Sequence, residues 1–371
     1  MTGDRLDPQA VAALLGRSLL KTPDYDDAAL DALIGAAEAF ARLDKAGVKT
    51  PFLPHELAYA VFFDNSTRTK SAWAGAAARL GMQPVIVDGS STQVAHGETA
   101  EETGAMLGMN AHAMGIRHDL ILGEGRAFLK DLKKGIDDYL GATEDPRQVP
   151  IVNLQCDLDH PTQSLADLLF LREKFGDVRG KKITVSWAYS PSYAKPLSVP
   201  QGLIMLLSRF GADLTLAHPE GYPLLDEALD VARTQSAASG GSFTVTHDMD
   251  AAFQGAHVVY PKSWGPLDMM WERVQHKDKL AQIEARMLAQ NAQHKDWICD
   301  ERRMALTADA QYMHCLPADI GDEVAHSVLD RFRVDLAREA NKKVYVIMAM
   351  LATAKVPGLA EKLNKALEGL K

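Results

Sequence analysis

Cysteine is scarce in these 371 residues: Cys156, Cys299 and Cys315 stand far apart. Such a set excludes a disulfide framework and a paired-cysteine zinc site, and it suits a reducing, cytoplasmic setting. Positive charge is not in excess either. Lys and Arg number 40 against 49 Asp and Glu, a net charge of −9, which argues against the nucleic-acid backbone as the main partner. No stretch approaches the ~18 apolar residues of a membrane helix. The first twenty residues carry Asp4 and Asp7 ahead of an apolar run that Arg17 interrupts, unlike a secretory leader. Repeats of solenoid period and low-complexity tracts are absent. What remains, 47% hydrophobic and 24% charged, fits a globular enzyme long enough for two domains.

Short apolar runs alternate with amphipathic stretches, the pattern of a parallel α/β protein. Strands are expected at Ala58–Phe63, Pro84–Asp88, Ala111–Ile116 and Ile151–Leu154, then at Lys182–Ala188, Asp213–Ala217, Ser242–Thr246, Ala256–Pro261 and Gln311–Cys315. Helices are expected at Thr67–Leu80, Gln163–Phe175 and Gln201–Phe210, the last capped by Gly211, with an apolar closing helix at Val344–Ala354. The expected fold class is therefore two doubly wound parallel-sheet domains, bridged by Gln163–Phe175 and facing a cleft. Their expected extents are 1–158, completed by a C-terminal helix at 342–371, and 159–341.

Four segments carry the chemistry. In Phe62–Lys70 a strand gives way to a turn rich in hydroxyls and cations that opens a helix. Ser66, Thr67, Thr69, the Arg68 guanidinium and the positive helix end would hold a phosphate; the alternative is N-capping by Asn65 or Ser66 beside a surface arginine. In Asp157–Ser164, His160 and Gln163 lie three apart at a helix start, suited to a carbonyl oxygen and an amide nitrogen, unless Asp159 caps the helix and His160 is a loop residue. Met313–Pro317 ends a strand with Cys315, read as a pocket lining rather than a nucleophile, since no nearby sequence feature would activate the thiol. Arg117 closes a strand where it can reach a ligand, or else is a surface arginine.

These segments, in this order, resemble the aspartate/ornithine carbamoyltransferase family. The matching motifs are Ser66-Thr67-Arg68-Thr69, Arg117, His160-Pro161-Thr162-Gln163 and His314-Cys315-Leu316-Pro317, supported by Gly97-Glu98-Thr99 and Ile347-Met348-Ala349. The resemblance runs from about Tyr59 to Leu351. It implies transfer of a carbamoyl group from carbamoyl phosphate to an amine, by positioning and preformed donors, with no metal or organic cofactor. Ser66 to Thr69 would take the phosphate, while Thr69, Arg117 and His160 face the carbonyl oxygen. Gln163 and the carbonyls of Cys315 and Leu316 would hold the NH2, and Lys343 replaces a C-terminal arginine that contacts carbamoyl phosphate. The catalytic set is then Arg68, Thr69, Arg117, His160 and Gln163, with the acceptor among Tyr189, Lys195, Lys262, Trp264 and Cys315. The resemblance also implies a homotrimer or a dimer of trimers. A loop near Ser90–His96, with Gln93 and His96, would enter the neighbouring site.

Departures from the ornithine enzymes concern the acceptor. Val259–Gly265 has Lys262 near the position of their acceptor-binding Asp, and no Ser-Met-Gly follows; a cation there suits an acidic acceptor group. Lys70 replaces the last Arg of the phosphate turn, and His96 a lysine. The proline-rich loop Tyr189–Pro200 is similar to that of acetylornithine and succinylornithine carbamoyltransferases, through which the chain threads a trefoil knot. Asn153–Asp157, Trp187–Ser192 and Asn291–Trp297 most resemble a knotted carbamoyltransferase group of unsettled acceptor, linked to ureido compounds and 2,3-diaminopropionate. Asn291–Trp297 could reach the acceptor or be a solvated loop. Competing readings are a non-catalytic anion-binding protein on the same fold and a dehydrogenase. The latter would rest on Gly123–Phe128, which lacks a third glycine and shows no clear strand-to-helix setting.

Overall fold

Every stretch expected as a strand pairs into one of two parallel sheets in the computed structural model, which describes residues 5–370. The chain packs as two units, one reaching to Leu169 and resuming at Asn341, the other Phe170–Ala340. It passes between them inside two helices, Pro161–Phe175 and His326–Lys355, so the first junction falls within a helix rather than at 158/159.

In the first unit β1 (Leu57–Phe62), β2 (Gln83–Asp88), β3 (Ala113–His118) and β4 (Ile151–Cys156) lie in the order β2-β1-β3-β4. Helices Arg68–Leu80, Ala100–Gly108 and Glu124–Ala142 link successive strands. The chain leaves β1 for β2 on one side and later adds β3 on the other. The C-terminal ends of β1 and β3 thus mark a topological switch point, where open α/β sheets bind ligands. Gly115 in β3 makes room for Trp73, because a Cβ would come within 2.8 Å of its ring. The outer strand β4 is buried throughout and its edge is covered: Leu19 bridges Val152 in parallel, donating to Ile151 and accepting from Asn153.

The start of β3 is two residues later than expected because its pairing with β1 begins at Ala58–Ala113 and runs on to Phe62–Arg117. Arg117 therefore belongs to the strand. The register with β4 shifts between Ile116 and Arg117, a bulge of the kind that re-aims a side chain. Gly123–Phe128 does join a strand to a helix. Gly123 (φ +83°) precedes helix Glu124–Ala142, and a Cβ on Gly125 would meet the His118 carbonyl at 1.9 Å. Its backbone, however, is held by Asp157: one carboxylate oxygen accepts from Gly123 N and Arg126 Nε and the other from Arg126 N. A negative side chain thus occupies the helix end that a dinucleotide phosphate would need.

The second unit orders its strands β7-β6-β5-β8-β9, again all parallel, with β5 (Lys182–Ser186), β6 (Asp213–Ala217), β7 (Ser242–Thr246), β8 (Val258–Pro261) and β9 (Gln311–Tyr312). Its switch point lies between β5 and β8. Strand β9 is shorter than expected, since the chain turns at Leu316 (φ +53°). The proline-rich loop after β5 is tied down along its length. Tyr189 N donates to Trp297 O, Asn291 Nδ2 to Ser190 O, Ala194 N to Glu284 and Gly265 N to Lys195 O. Asn291–Trp297 is mixed: Ala292, Gln293, Lys295 and Asp296 are exposed, while Asn291 is fully buried, accepts from the Tyr222 hydroxyl at 2.8 Å and braces the proline-rich loop.

Candidate active site

The phosphate turn lies at the C-terminal end of β1. Helix Arg68–Leu80 begins at Thr67 without any side-chain cap, so neither Asn65 nor Ser66 blocks its positive end. Thr69 is buried in the first turn and its hydroxyl accepts from Lys343 Nζ at 3.3 Å, across 274 residues of sequence. Lysine at 343 therefore reaches the turn as the arginine of the resemblance would. Lys70 instead lies over the Phe62 ring, 5.2 Å from its centroid.

His160 is buried just before Pro161 opens its helix. Burial, then the charges of Lys343, Arg117 and Arg68, hold its pKa well below the usual value, so the ring is neutral at pH 7. Thr162 Oγ1 lies 3.2 Å from His160 Nδ1. With that hydroxyl donating, Nε2 carries the hydrogen and can donate to a carbonyl oxygen. The loop ahead of His160 is set by Asp159, which does not cap the helix but accepts from Thr22 N and Oγ1 at 2.8 and 3.1 Å. Burial pushes Asp159 up to about 6. Gln163 Nε2 donates to Asp167 at 2.7 Å, which fixes the amide and leaves Oε1 to accept an N–H. Arg117 pairs with Asp119 through Nε and Nη2 and lies 3.6 Å from Asp64 of the phosphate turn.

In the second unit the central group is Glu323, which the sequence reading did not single out. Its carboxylate, fully buried, accepts from Lys195 Nζ at 2.7 Å and from the backbone N–H groups of Asp319 and Ser263 at 2.8 Å each. Lys262 Nζ stands 4.0 Å away and His314 Nε2 3.7 Å away. Burial opposes its ionisation, but Lys262, His314 and Lys195 prevail and hold the carboxyl well below its ordinary range. Lys195 also binds Asp319 at 2.8 Å, and Asp319 accepts from the hydroxyls of Ser190 and Ser192. A local sequence signal for Glu323 is lacking, because its partners come from four separate segments.

Two residues expected at the acceptor, Lys262 and Trp264, already have partners within the protein. Lys262 is buried, donates to Ser263 O at 2.8 Å and is pushed down to about 8, chiefly by burial and then by Lys195. It is not an uncompensated cation waiting for an acidic acceptor, since Glu323 balances it. Trp264 is fully buried and its indole N–H is spent on Tyr222 O at 3.0 Å, which makes it packing rather than an offered donor. Tyr189 is buried at the root of the proline-rich loop, with its hydroxyl pushed up by burial and then by Asp322 and Asp319.

The His314–Pro317 turn is organised from its histidine. Nδ1 accepts the Leu316 N–H at 2.8 Å, so the neutral ring carries its hydrogen on Nε2, towards Glu323. Neither nitrogen is then a base for Cys315, which is half-buried and free. Gln93 and His96 are exposed on a short turn and bond each other at 3.2 Å. Among the described residues no helix is long and apolar enough to cross a membrane, and no group of three or more His, Cys, Asp or Glu could hold a metal ion.

Comparison with known proteins agrees with this architecture. Residues 17–173 match the carbamoyl-P binding domain of aspartate/ornithine carbamoyltransferases, and residues 196–354 match the Asp/Orn binding domain. The YgeW protein of Escherichia coli K12, whose name assigns carbamoyl transfer provisionally, is 45% identical over 95% of this chain and 93% of its own. The N-acetylornithine carbamoyltransferase of Xanthomonas campestris pv. campestris is 33% identical over 91% of this chain and 97% of its own. A crystal structure of an N-acetyl-L-ornithine transcarbamylase variant, with carbamyl phosphate and N-succinyl-L-norvaline bound, superposes with a TM-score of 0.76. It is 29% identical and covers 91% of this chain and 99% of that one. The chain belongs to the aspartate/ornithine carbamoyltransferase family, and it is a carbamoyltransferase.

Proposed function

We propose that this carbamoyltransferase moves its group between carbamoyl phosphate and the amine of a small amino acid or ureido compound. The observation that carries this reading is the first unit's constellation: an uncapped helix start, with Arg68, Arg117 and Lys343 all acting on a buried, neutral His160. Cations and a free helix end suit a phosphate, and a neutral imidazole donor suits a carbonyl oxygen. The uncharged amine attacks the carbonyl carbon. The new C–N bond forms as the C–O bond to phosphate breaks, phosphate leaves with the bonding pair, and the amine's proton passes to the departing phosphate. Ser66, Thr67, Arg68 and Thr69 hold the phosphate, with Lys343 behind Thr69 and Arg117, beside Asp64 of the same turn, reaching both it and the carbonyl oxygen. Thr69, Arg117 and His160 hold the carbonyl oxygen, and Gln163 Oε1 accepts from the NH2. Return transfer from a ureido compound to phosphate uses the same groups.

The second unit takes the acceptor. Lys195 and Lys262 are matched there by Glu323 and Asp319, a balance that suits a zwitterionic amino acid such as 2,3-diaminopropionate better than an acceptor with a lone acidic end. N-acetyl- or N-succinylornithine, or ornithine itself, is the alternative, supported by the N-acetylornithine and ornithine carbamoyltransferases among the relatives. A homotrimer, or a dimer of trimers, lending Gln93 and His96 to the neighbour is part of this reading, and so is a cytoplasmic setting. The test is phosphate release from carbamoyl phosphate across ornithine, both acylated ornithines, aspartate, putrescine and 2,3-diaminopropionate, with ureido products weighed by mass spectrometry. One strong substrate is expected. No binding of carbamoyl phosphate at all would remove the reading and leave the family assignment alone.

A further inference from the structure

We propose that Asp119 is the positioning residue for Arg117: it grips one edge of the guanidinium so that the opposite edge is presented to the substrate's anion, while Asp64 is a placeholder that the anion displaces. This inference rests on the carbamoyl-phosphate reading of the first unit.

The sequence sets up the grip in two steps. The bulge between Ile116 and Arg117 turns the arginine at the end of β3, where its backbone carbonyl still accepts from Phe63 N at 2.9 Å and ties it to the phosphate turn. Two residues on, Asp119 sends its carboxylate back. Arg117 Nε donates to Oδ1 at 3.3 Å and Nη2 to Oδ2 at 3.1 Å, a side-on fork. A guanidinium has five N–H donors in one plane, and this fork uses two, leaving both hydrogens of Nη1 and one of Nη2.

The two carboxylates at Arg117 differ in kind. Asp119 has a side chain with no exposure, so its partner is fixed and the arginine cannot turn away from it. Asp64 keeps 22% exposure, lies at 3.6 Å, beyond hydrogen-bond length, and approaches the same Nη2. A phosphate reaching the turn competes with Asp64 for that donor and leaves the Asp119 fork intact. Burial pushes Asp119 up to about 6, against Arg117 and with Asp64, so at neutral pH it is ionised and the fork is made. An ordered arginine forfeits less rotamer freedom on binding than a free one, which is where the affinity comes from.

Calorimetric titration of inorganic phosphate at pH 7.5 tests this in wild type, Asp119→Asn, Asp64→Asn, Arg117→Ala and the Arg117→Ala/Asp119→Asn double variant. Asp119→Asn is expected to weaken phosphate roughly ten-fold, to raise KM for carbamoyl phosphate without raising that of the acceptor, and to add nothing once Arg117 is gone. Asp64→Asn is expected to bind phosphate as well as wild type or a few-fold tighter. Equal weakening by Asp119→Asn with and without Arg117, or weakening by Asp64→Asn as large as that by Asp119→Asn, overturns the proposal. Wild-type affinity in Arg117→Ala would overturn the carbamoyl-phosphate reading itself, a separable result. Should Asp119→Asn not fold, the Arg117 Nε–H resonance of wild type, assigned by its absence in Arg117→Lys, serves instead. It should stay protected from exchange when phosphate is added, and fast exchange would refute the grip.

Discussion

The two units treat buried charge in opposite ways. Around His160 the first unit gathers Arg68, Arg117 and Lys343, and the carboxylates on Arg117 are Asp64 and Asp119. Two of its buried carboxylates, Asp119 and Asp159, are pushed up to about 6 because burial outweighs what their partners return. In the second unit, Lys195 and Lys262 meet Glu323 and Asp319 one for one, and both carboxyls are held below their ordinary values. On the proposed reading the first arrangement is completed by an added anion. The second has its charges balanced within itself, so it would select by hydrogen bonds and shape more than by net charge. An arginine-rich half suits a phosphate, whose geometry is bidentate, whereas buried lysines with short contacts to carboxylates hold backbone turns in place.

Removing one cation from each half should show the difference most strongly in the first. Arg68→Ala is expected to lower turnover by about 10²–10³-fold and to weaken inhibition by inorganic phosphate with it, the usual scale for a lost charge-stabilising donor. Unchanged phosphate inhibition would take Arg68 out of the anion site. In the second unit the larger effect is on stability. Glu323→Gln leaves Lys195 and Lys262 buried without their shared counter-charge, a loss of about 3 kcal/mol. Urea unfolding followed by tryptophan fluorescence reads it, because four of the five tryptophans (187, 264, 271 and 297) lie in that unit. An unshifted transition would mean that the network does not stabilise the unit.

Much of this was legible in the sequence. The strands were readable because each is a short apolar run between turn residues, and Asp213–Ala217 and Ser242–Thr246 have the expected limits. Candidate site residues that sit on local motifs, such as Thr69, His160 and Gln163, could be singled out from sequence, and all three are buried. Groups whose meaning depends on distant partners were not. Glu323 lies in an ordinary-looking stretch, and only folding brings Lys195, Ser263 and His314 to it. Lys262 was visible as a cation but not as a neutralised one, for the same reason. Helix His326–Lys355 was seen only in its apolar half, since its first half alternates charged and apolar residues with many exposed positions. The Arg117 bulge lies beyond pattern reading, because register is set by pairing with β4.

The contrast in carboxyl behaviour also gives a direction to acid unfolding. Asp119 and Asp159 bind protons near pH 6 when folded but only near ~3.9 when unfolded, so acidification across that window favours the folded first unit. Glu323 and Asp319 behave conversely, as does Asp250, pulled down to about 2 by Arg302 and then Arg303. What they contribute is present above ~4 and is lost as pH falls below it. Hydrogen exchange measured at a series of pH values below 5 should therefore open peptides spanning 190–195 and 319–323 before those spanning 66–69 and 156–160. The reverse order would erase the distinction between the units.

The smallest effect is expected at Cys315, and it sharpens what the second unit contributes to chemistry. If the turn supplies backbone carbonyls, exchanging sulfur for oxygen leaves them in place, because their orientation comes from the Leu316 N–H to His314 Nδ1 bond. Cys315→Ser should then keep turnover within about ten-fold of wild type, a change of no more than ~1.4 kcal/mol in the barrier. His314→Ala, which removes the bond that sets the turn, should cost more than Cys315→Ser in kcat. Both are read by steady-state phosphate release, with circular dichroism as the folding control. A folded Cys315→Ser protein without activity would reopen covalent catalysis by the thiol. The thiol would then need a base other than His314, whose Nδ1 is engaged and whose Nε2 faces Glu323.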